Sequence, residues 1–326
     1  MNILITGGAG FIGSHLTEKL LEERHSVTIY DNFMRGIEAE RNVKEIISKN
    51  GNKNFEVVKG DVTDFKKTKK VIKNKDQVYH LAALPSHRLA LKQPRDYAMV
   101  DVIGTVNVLE ASRLTESTPK VIFASSNKVY GKLKPPFKET MSPKPEGPYG
   151  LSKFCSEEFC KMYVDYYGLD VPVIRYHHVI GPRCQPDREL SIFAERALKG
   201  KKPIVHGTFE NGDFISCAAD YTNIHDAVKG TILVSGVEGF DTFNLATGKV
   251  TTVLEIAEMT MEKLGKNNLE IEYKEMLPHE TLVHRSEVSK IGKKVGFKAK
   301  KTVEEAIEDY VKWRLKIGPR DQAVYK

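Results

Sequence analysis

The run NILITGGAGFIGSHLTEKLLEE, residues 2–23, joins a short β-branched segment to an amphipathic one through glycines 7, 10 and 13. Without side chains at those points a backbone can turn tightly out of a strand and approach a pyrophosphate. The helix that follows supplies unpaired N–H groups and a favourable dipole for the negative charge. Glycine spacing alone is a weak signal. The strand-turn-helix context around it is what the chemistry requires.

The same alternation continues through the first half of the chain. SVTIYD, FEVVKGD, QVYHLAA, KVIFASS and VPVIRY each read as buried strands, separated by helical patterns. Nearly continuous apolar strands between helices are the signature of a parallel sheet covered on both faces. The expected fold is therefore α/β, a doubly wound parallel sheet with a smaller, discontinuous α/β substrate lobe. After residue 176 the alternation becomes irregular, and HHVIGPRCQPDREL has the Pro, Gly and charge content of a loop region. The division expected is 1–176 for the dinucleotide domain, with 208–246 contributing, and 177–207 with 247–326 for the second lobe. Thr252 with Glu255 and Thr302 with Glu305 have the spacing of capping boxes at the starts of two late helices.

The 326 residues are 40% apolar and 29% charged, without repeats or low-complexity tracts, as expected of a globular chain. No stretch reaches 18 uninterrupted apolar residues, and Met1 leads directly into a hydrophobic strand without a basic region or cleavage site. A cytoplasmic protein with no membrane association is the expectation. Cys155, Cys160, Cys184 and Cys217 lack CxxC spacing and are expected to be reduced thiols, those at 155 and 160 as packing on a helix. The net charge of +7 is interleaved with acidic residues and accompanies no recognition motif, which argues against nucleic acid and suits small anionic ligands.

Asp31 ends the second strand, eighteen residues past Gly13, close to the spacing at which a carboxylate binds ribose hydroxyls. A carboxylate there repels a 2′-phosphate, so NAD is favoured over NADP, with Arg35 as the one nearby feature pointing the other way. Further along, SSNKVYG at 125–131 precedes YGLSK at 149–153. Tyr149 and Lys153, four apart on a helical pattern, point from one face. The ammonium favours the phenolate that a base for an alcohol proton needs. Ser126 falls at the carboxyl end of a strand, where open α/β sheets place their ligands, and its hydroxyl could bridge substrate and Tyr149. Taken alone, Tyr-x-x-x-Lys and a strand-end serine are common chance patterns; the glycine turn upstream gives them weight. His177, His178, His206, His225, His279 and His284 show no HxxxH or HExxH pairing, and no metal is expected.

The glycine turn, DVTD at 61–64, HLAAL at 80–84, SSNKVYG, YGLSK and IGPR together resemble the extended short-chain dehydrogenase/reductase superfamily. Within it the pattern is most similar to the nucleotide-sugar epimerase/dehydratase group, of the UDP-galactose 4-epimerase type, from Met1 to about Lys316. The resemblance implies a Rossmann domain holding NAD, with Gly7, Gly10, Phe11, Ile12, Gly13, Asp31 and Asn32 around its phosphates and ribose. Asp61 and Val62 would flank adenine and Leu81, Ala82 and Ala83 the nicotinamide. Ser126, Tyr149 and Lys153 would carry catalysis, the last two also touching the cofactor. In such enzymes the tyrosine takes a proton from a sugar hydroxyl as the hydride leaves for NAD, and the keto sugar is then reduced on its other face. A homodimer built on helices near 97–114 and 149–167 is implied as well.

Two departures bear on the substrate. Dehydratases of this superfamily carry Asp-Glu directly after the serine or threonine, and here Asn127 and Lys128 stand there, which disfavours dehydration and the related decarboxylation. The same Asn-Lys pair resembles CDP-tyvelose 2-epimerase, so the inverted carbon stays open. The arginine that grips the nucleotide diphosphate in the family would fall at Ala219. Replacement contacts from His178, Arg183, Arg188 and Lys202 are expected. The activity expected is an NAD-dependent nucleotide-sugar epimerase, a UDP-hexose 4-epimerase in the first instance, with a keto-sugar reductase or a 2-epimerase as alternatives.

Overall fold

The computed structural model describes all residues except 52, 277–280 and 319–326, so His279 lies outside the described residues. Six strands follow one another with helical crossovers: β1 (Asn2–Thr6), β2 (Ser26–Asp31), β3 (Phe55–Lys59), β4 (Gln77–His80), β5 (Lys120–Ser126) and β6 (Val171–Tyr176). A seventh, Phe240–Leu245, pairs with β6. The sheet order is Phe240–Leu245, β6, β5, β4, β1, β2, β3, and every neighbouring pair is parallel.

The uninterrupted apolar runs have a direct structural cause. On β1, Ile3 and Ile5 enter one core with Ile29, Ile122 and Ile174, while Leu4 enters the opposite core with Val78, Val121 and Val173. Both faces are covered, so alternate side chains are equally apolar. The parallel doubly wound sheet expected from the sequence is the sheet observed. Its chain order reverses at β1, which has β4 on one side and β2 on the other. A crevice outside the carboxyl ends of these strands is where such sheets bind ligands.

The remaining structure is built from small sheets. Tyr221–Asn223 pairs with His178–Ile180, Ala218–Ala219 sits between Thr251–Thr252 and Val283–His284, and Ile204–Glu210 lies between Glu272–Glu275 and Asp213–Ser216. Both capping boxes form. Glu255 N donates to Thr252 Oγ1 (3.1 Å) and Thr252 N to Glu255 Oε2 (2.6 Å), with the same exchange between Glu305 and Thr302 at 3.1 and 2.7 Å. Among the described residues no helix is long and apolar enough to cross a membrane.

Candidate active site

The turn after β1 fixes one wall of a cleft. Gly7 has φ +70°, and a Cβ there would lie 2.8 Å from the Ala82 amide nitrogen. A Cβ on Gly13 would lie 2.3 Å from the Gly7 carbonyl oxygen. The helix α1 (Phe11–Glu22) starts at Gly10 without a side-chain cap. Its first-turn N–H groups are left to a ligand, as an anion site requires.

Across the mouth of β2, Asp31 accepts from the Ala9 amide (3.0 Å) and the Phe33 amide (2.8 Å). Burial raises its proton affinity above the ordinary carboxylate value, against the pull of these two N–H bonds. Asp61 behaves oppositely. Burial would raise it, but the Thr63 amide and hydroxyl and the Asn32 amide, which donates at 2.8 Å, outweigh burial and hold it lower. Arg35 is bound to Glu38 at 2.8 Å, with Nε and Nη1 buried and unpartnered beside the cleft. A bare glycine turn, an uncapped helix start and a strand-end carboxylate fit a dinucleotide. Gly13→Ala is expected to abolish retention of any co-purifying dinucleotide, read as nucleotide released on denaturation, with the circular dichroism spectrum as the control for folding.

Phe11, Ile12, Val62, Leu81, Ala82 and Ala83 line the same cleft, as do Gly7, Gly10, Gly13, Asp31, Asn32 and Asp61. So do Ser126, Tyr149 and Lys153. The last two sit one turn apart on the long helix Gly147–Tyr167. Lys153, 3% exposed, donates from Nζ to the Ala124 carbonyl (3.0 Å) and lies 5.1 Å from the Phe123 ring centre. The Tyr149 ring meets Tyr97 edge-on, with centres 6.1 Å apart. Ser126 Oγ accepts from the Lys128 amide at 3.3 Å. A strand end and a helix face thus deliver phenol, ammonium and hydroxyl to one place, the arrangement that proton transfer to and from an alcohol needs.

Residues that carried no sequence signal support this trio. Asp101, within the π-helical turn Ala98–Ile103, accepts from the Leu84 amide and from Ser152 Oγ, both at 3.0 Å, tying the helix Gly147–Tyr167 to the loop after β4. Burial raises its proton affinity, with Lys153 acting the other way. His80, between Thr6 Oγ1 (2.7 Å) and Thr105 Oγ1 (3.0 Å), is held down to about 3 by burial and by the Lys153 charge, so it is neutral. Glu157, one turn beyond Lys153, forms a two-pronged pair with Arg175 at 3.0 and 2.6 Å and accepts from Ser125. Arg175 in turn donates to Tyr130 Oη (2.9 Å), which donates to Asn244 (2.7 Å). The Lys153–Glu157 spacing was the one available clue, since both fall on a single helix face.

At the other end of the cleft His178 and Arg188 are among the lining residues, together with Asn127, Lys128 and His177. Two expectations need correction. Arg183 does not face the cleft: it is 2% exposed and bound to Glu18 (2.5 Å) and Glu45 (2.8 Å), joining helix α1 to the helix Ile37–Asn50. A guanidinium with two carboxylates nearby is a structural clamp, and loop sequence alone does not disclose its partners. Lys202 is on the surface with Glu270 at 2.6 Å and is absent from the cleft wall. Ala219 is buried in its small sheet, and the next residue, Asp220, accepts from the Thr247 and Gly248 amides at 2.8 and 2.7 Å. Among the described residues no three His, Cys, Asp or Glu side chains are placed to hold a metal ion.

The profile of the GDP-mannose 4,6 dehydratase family matches residues 4–310. The chain is 32% identical to a putative UDP-glucose 4-epimerase of Methanocaldococcus jannaschii, over 95% of its own length and 97% of that protein's. It superimposes with a TM-score of 0.84 and 31% identity on a UDP-glucose 4-epimerase from Thermotoga maritima solved with UDP-glucose, covering 97% and 99% of the two chains. A UDP-glucuronic acid 4-epimerase from Bacillus cereus, solved with UDP-glucuronic acid and NAD, gives a TM-score of 0.87 at 26% identity, with 97% and 100% covered. A match across nearly the full chain, on a parallel sheet whose crevice gathers the glycine turn with Ser126, Tyr149 and Lys153, makes this protein a member of the GDP-mannose 4,6 dehydratase family, within the extended short-chain dehydrogenase/reductases.

Proposed function

We propose that the protein is an NAD-dependent epimerase of a UDP-linked sugar, inverting C4. The observation that carries this reading is the convergence of Ser126, Tyr149 and Lys153 on the cleft that begins at Gly7, Gly10 and Gly13 and passes Asp31. NAD, when bound, supplies a hydride acceptor that becomes the donor in the return step. Tyr149 removes the proton of the C4 hydroxyl and later returns it to the same oxygen. Ser126 Oγ holds that oxygen, and Lys153 stands one turn along the same helix, on the face that Tyr149 shares. The keto sugar must rotate so that the returning hydride reaches its other face, and the net reaction is redox-neutral.

Dehydration would need a second proton-transfer group beside the serine, and Asn127 and Lys128 provide no carboxyl there. Arg188 and His178 are the proposed contacts for the nucleotide diphosphate in place of the arginine missing at Ala219. A second copy of this chain is the proposed partner of the adjacent helices Gly104–Arg113 and Gly147–Tyr167, near which Met99, Ile103, Leu151 and Tyr166 are exposed. Leu151→Glu is expected to shift the sedimentation velocity of the protein from dimer to monomer.

The test of the activity has two parts. Protein purified and denatured should release about one NAD per chain, and UDP-glucose should be converted to UDP-galactose with no lasting change in nicotinamide absorbance. An exchanging site with stoichiometric consumption of reduced cofactor would replace the epimerase by a keto-sugar reductase. Inversion at C2 of a CDP-sugar would move the reading to the other epimerase type.

A further inference from the structure

Three buried polar atoms on neighbouring rings lack partners. Nδ1 of His178, Nδ1 of His284 and the Tyr221 hydroxyl make no hydrogen bond. The two small sheets bring these side chains together: Tyr221 pairs in register with His178, and Ala219, two residues earlier, pairs with His284. The His178 ring lies 5.5 Å from that of His284 and 5.4 Å from that of Tyr221, centre to centre. His284 is 9% and Tyr221 1% exposed, whereas His178 lines the cleft. One buried polar atom left unpaired is costly, and three in one cluster call for a ligand.

The helix Glu189–Leu198 gives that ligand its sign. It starts at Arg188, which supplies no side-chain cap, so its first N–H groups are open to an anion. The Arg188 guanidinium lines the cleft and acts electrostatically on both His178 and Tyr221. Guanidinium, helix N–H groups, two imidazoles and a hydroxyl are more donors than the two oxygens of a carboxylate can serve. A diphosphate has oxygens enough, spread over the distance between them.

Both imidazoles are neutral in the absence of a ligand. Burial lowers the proton affinity of each well below the usual imidazole range, with His284 and Lys128 adding to this at His178, and Lys128 and His177 at His284. Around the pair, among the described residues, stand Lys128, Arg188 and His177, with Glu189, Cys184 and Cys217 acting on Tyr221. A bound phosphoryl group works against all of these cations, since negative charge beside an imidazole favours its protonated form. Two imidazolium ions so close would repel, so the pair holds about one proton between them.

We propose that His178 and His284 form a proton-coupled phosphoryl site, where the diphosphate of the substrate binds with uptake of about one proton from solvent, Arg188 supplying fixed charge and Tyr221 a further donor. The inference rests on the reading of the substrate as a UDP-sugar and states how that site responds to pH. Affinity gained in this way is present at low pH and is lost as pH rises through the imidazole pKa of the complex.

UDP-glucose is the probe, because its diphosphate is esterified at both ends and does not titrate near neutrality. Calorimetric titration of the NAD-loaded protein in buffers of different ionisation enthalpy should show net uptake of about one half to one proton per UDP-glucose near neutral pH. Kd should fall about 3- to 10-fold for each unit by which pH is lowered from about 8 to about 6. His284→Asn keeps a side-chain donor that cannot titrate and should lose much of this pH dependence. The double variant His178→Asn with His284→Asn should lose all of it, retained NAD showing that both variants are folded. Binding without proton uptake, uptake that survives in the double variant, or no binding of UDP-glucose would each overturn the proposal and leave the epimerase reading to its conversion assay. Proton-coupled binding without inversion of any sugar would do the reverse.

Discussion

Tyr149→Phe is expected to lower kcat by about 10²–10⁴-fold, the contribution of a positioned acid–base group, while the variant still releases one NAD per chain on denaturation. The two readouts separate chemistry from binding. Phenylalanine keeps the edge-on contact with the Tyr97 ring and the packing of a residue that is 8% exposed, so the fold should not respond. KM should change little if the phenol acts on the reacting oxygen in the transition state rather than in ground-state binding. A variant turning over at the parent rate would remove Tyr149 from the role of base. Loss of NAD together with activity would instead make it a cofactor contact.

Glu157→Ala should cause the largest loss of stability of any single change near the site. It strands the Arg175 guanidinium, 4% exposed, without the carboxylate that meets it at 3.0 and 2.6 Å. Breaking a buried pair in this way costs about 3–5 kcal/mol, mostly the penalty of an uncompensated charge. Chemical denaturation should show it as a lower midpoint at unchanged slope. Replacing both partners together, Glu157→Leu with Arg175→Met, should recover most of the loss, because the pair removed as a unit leaves no orphan. If the single and double variants lose equally, the pair's contribution is packing and not charge. Ser125 also donates to Glu157, so the single variant should disturb Ser126 next door and reduce kcat of the fraction that remains folded.

The sequence was most legible where function depends on the backbone. Gly7 and Gly13 can be read from spacing because no other residue tolerates their φ or their contacts. Asp31 follows because a strand of fixed rise ends where the turn places it. Tyr149 and Lys153 are legible because helix periodicity alone puts them on one face. Long-range partners are different. Arg183 resembles any loop arginine until Glu18 and Glu45, more than a hundred residues away, are seen to enclose it. Asp101 gave no signal and His80 only its place in the HLAAL motif, since their roles lie in hydrogen bonds to Ser152, Leu84, Thr6 and Thr105.

By itself the sequence determined the alternation of strands and helices and pointed to the glycine turn and to Tyr149 and Lys153 on one helix face, because each is encoded by local geometry repeated over a few residues. Only the tertiary structure decided which cations line the cleft and which clamp helices together. That choice depends on desolvation and on charges brought close by the folded chain, and neither leaves a trace in local spacing.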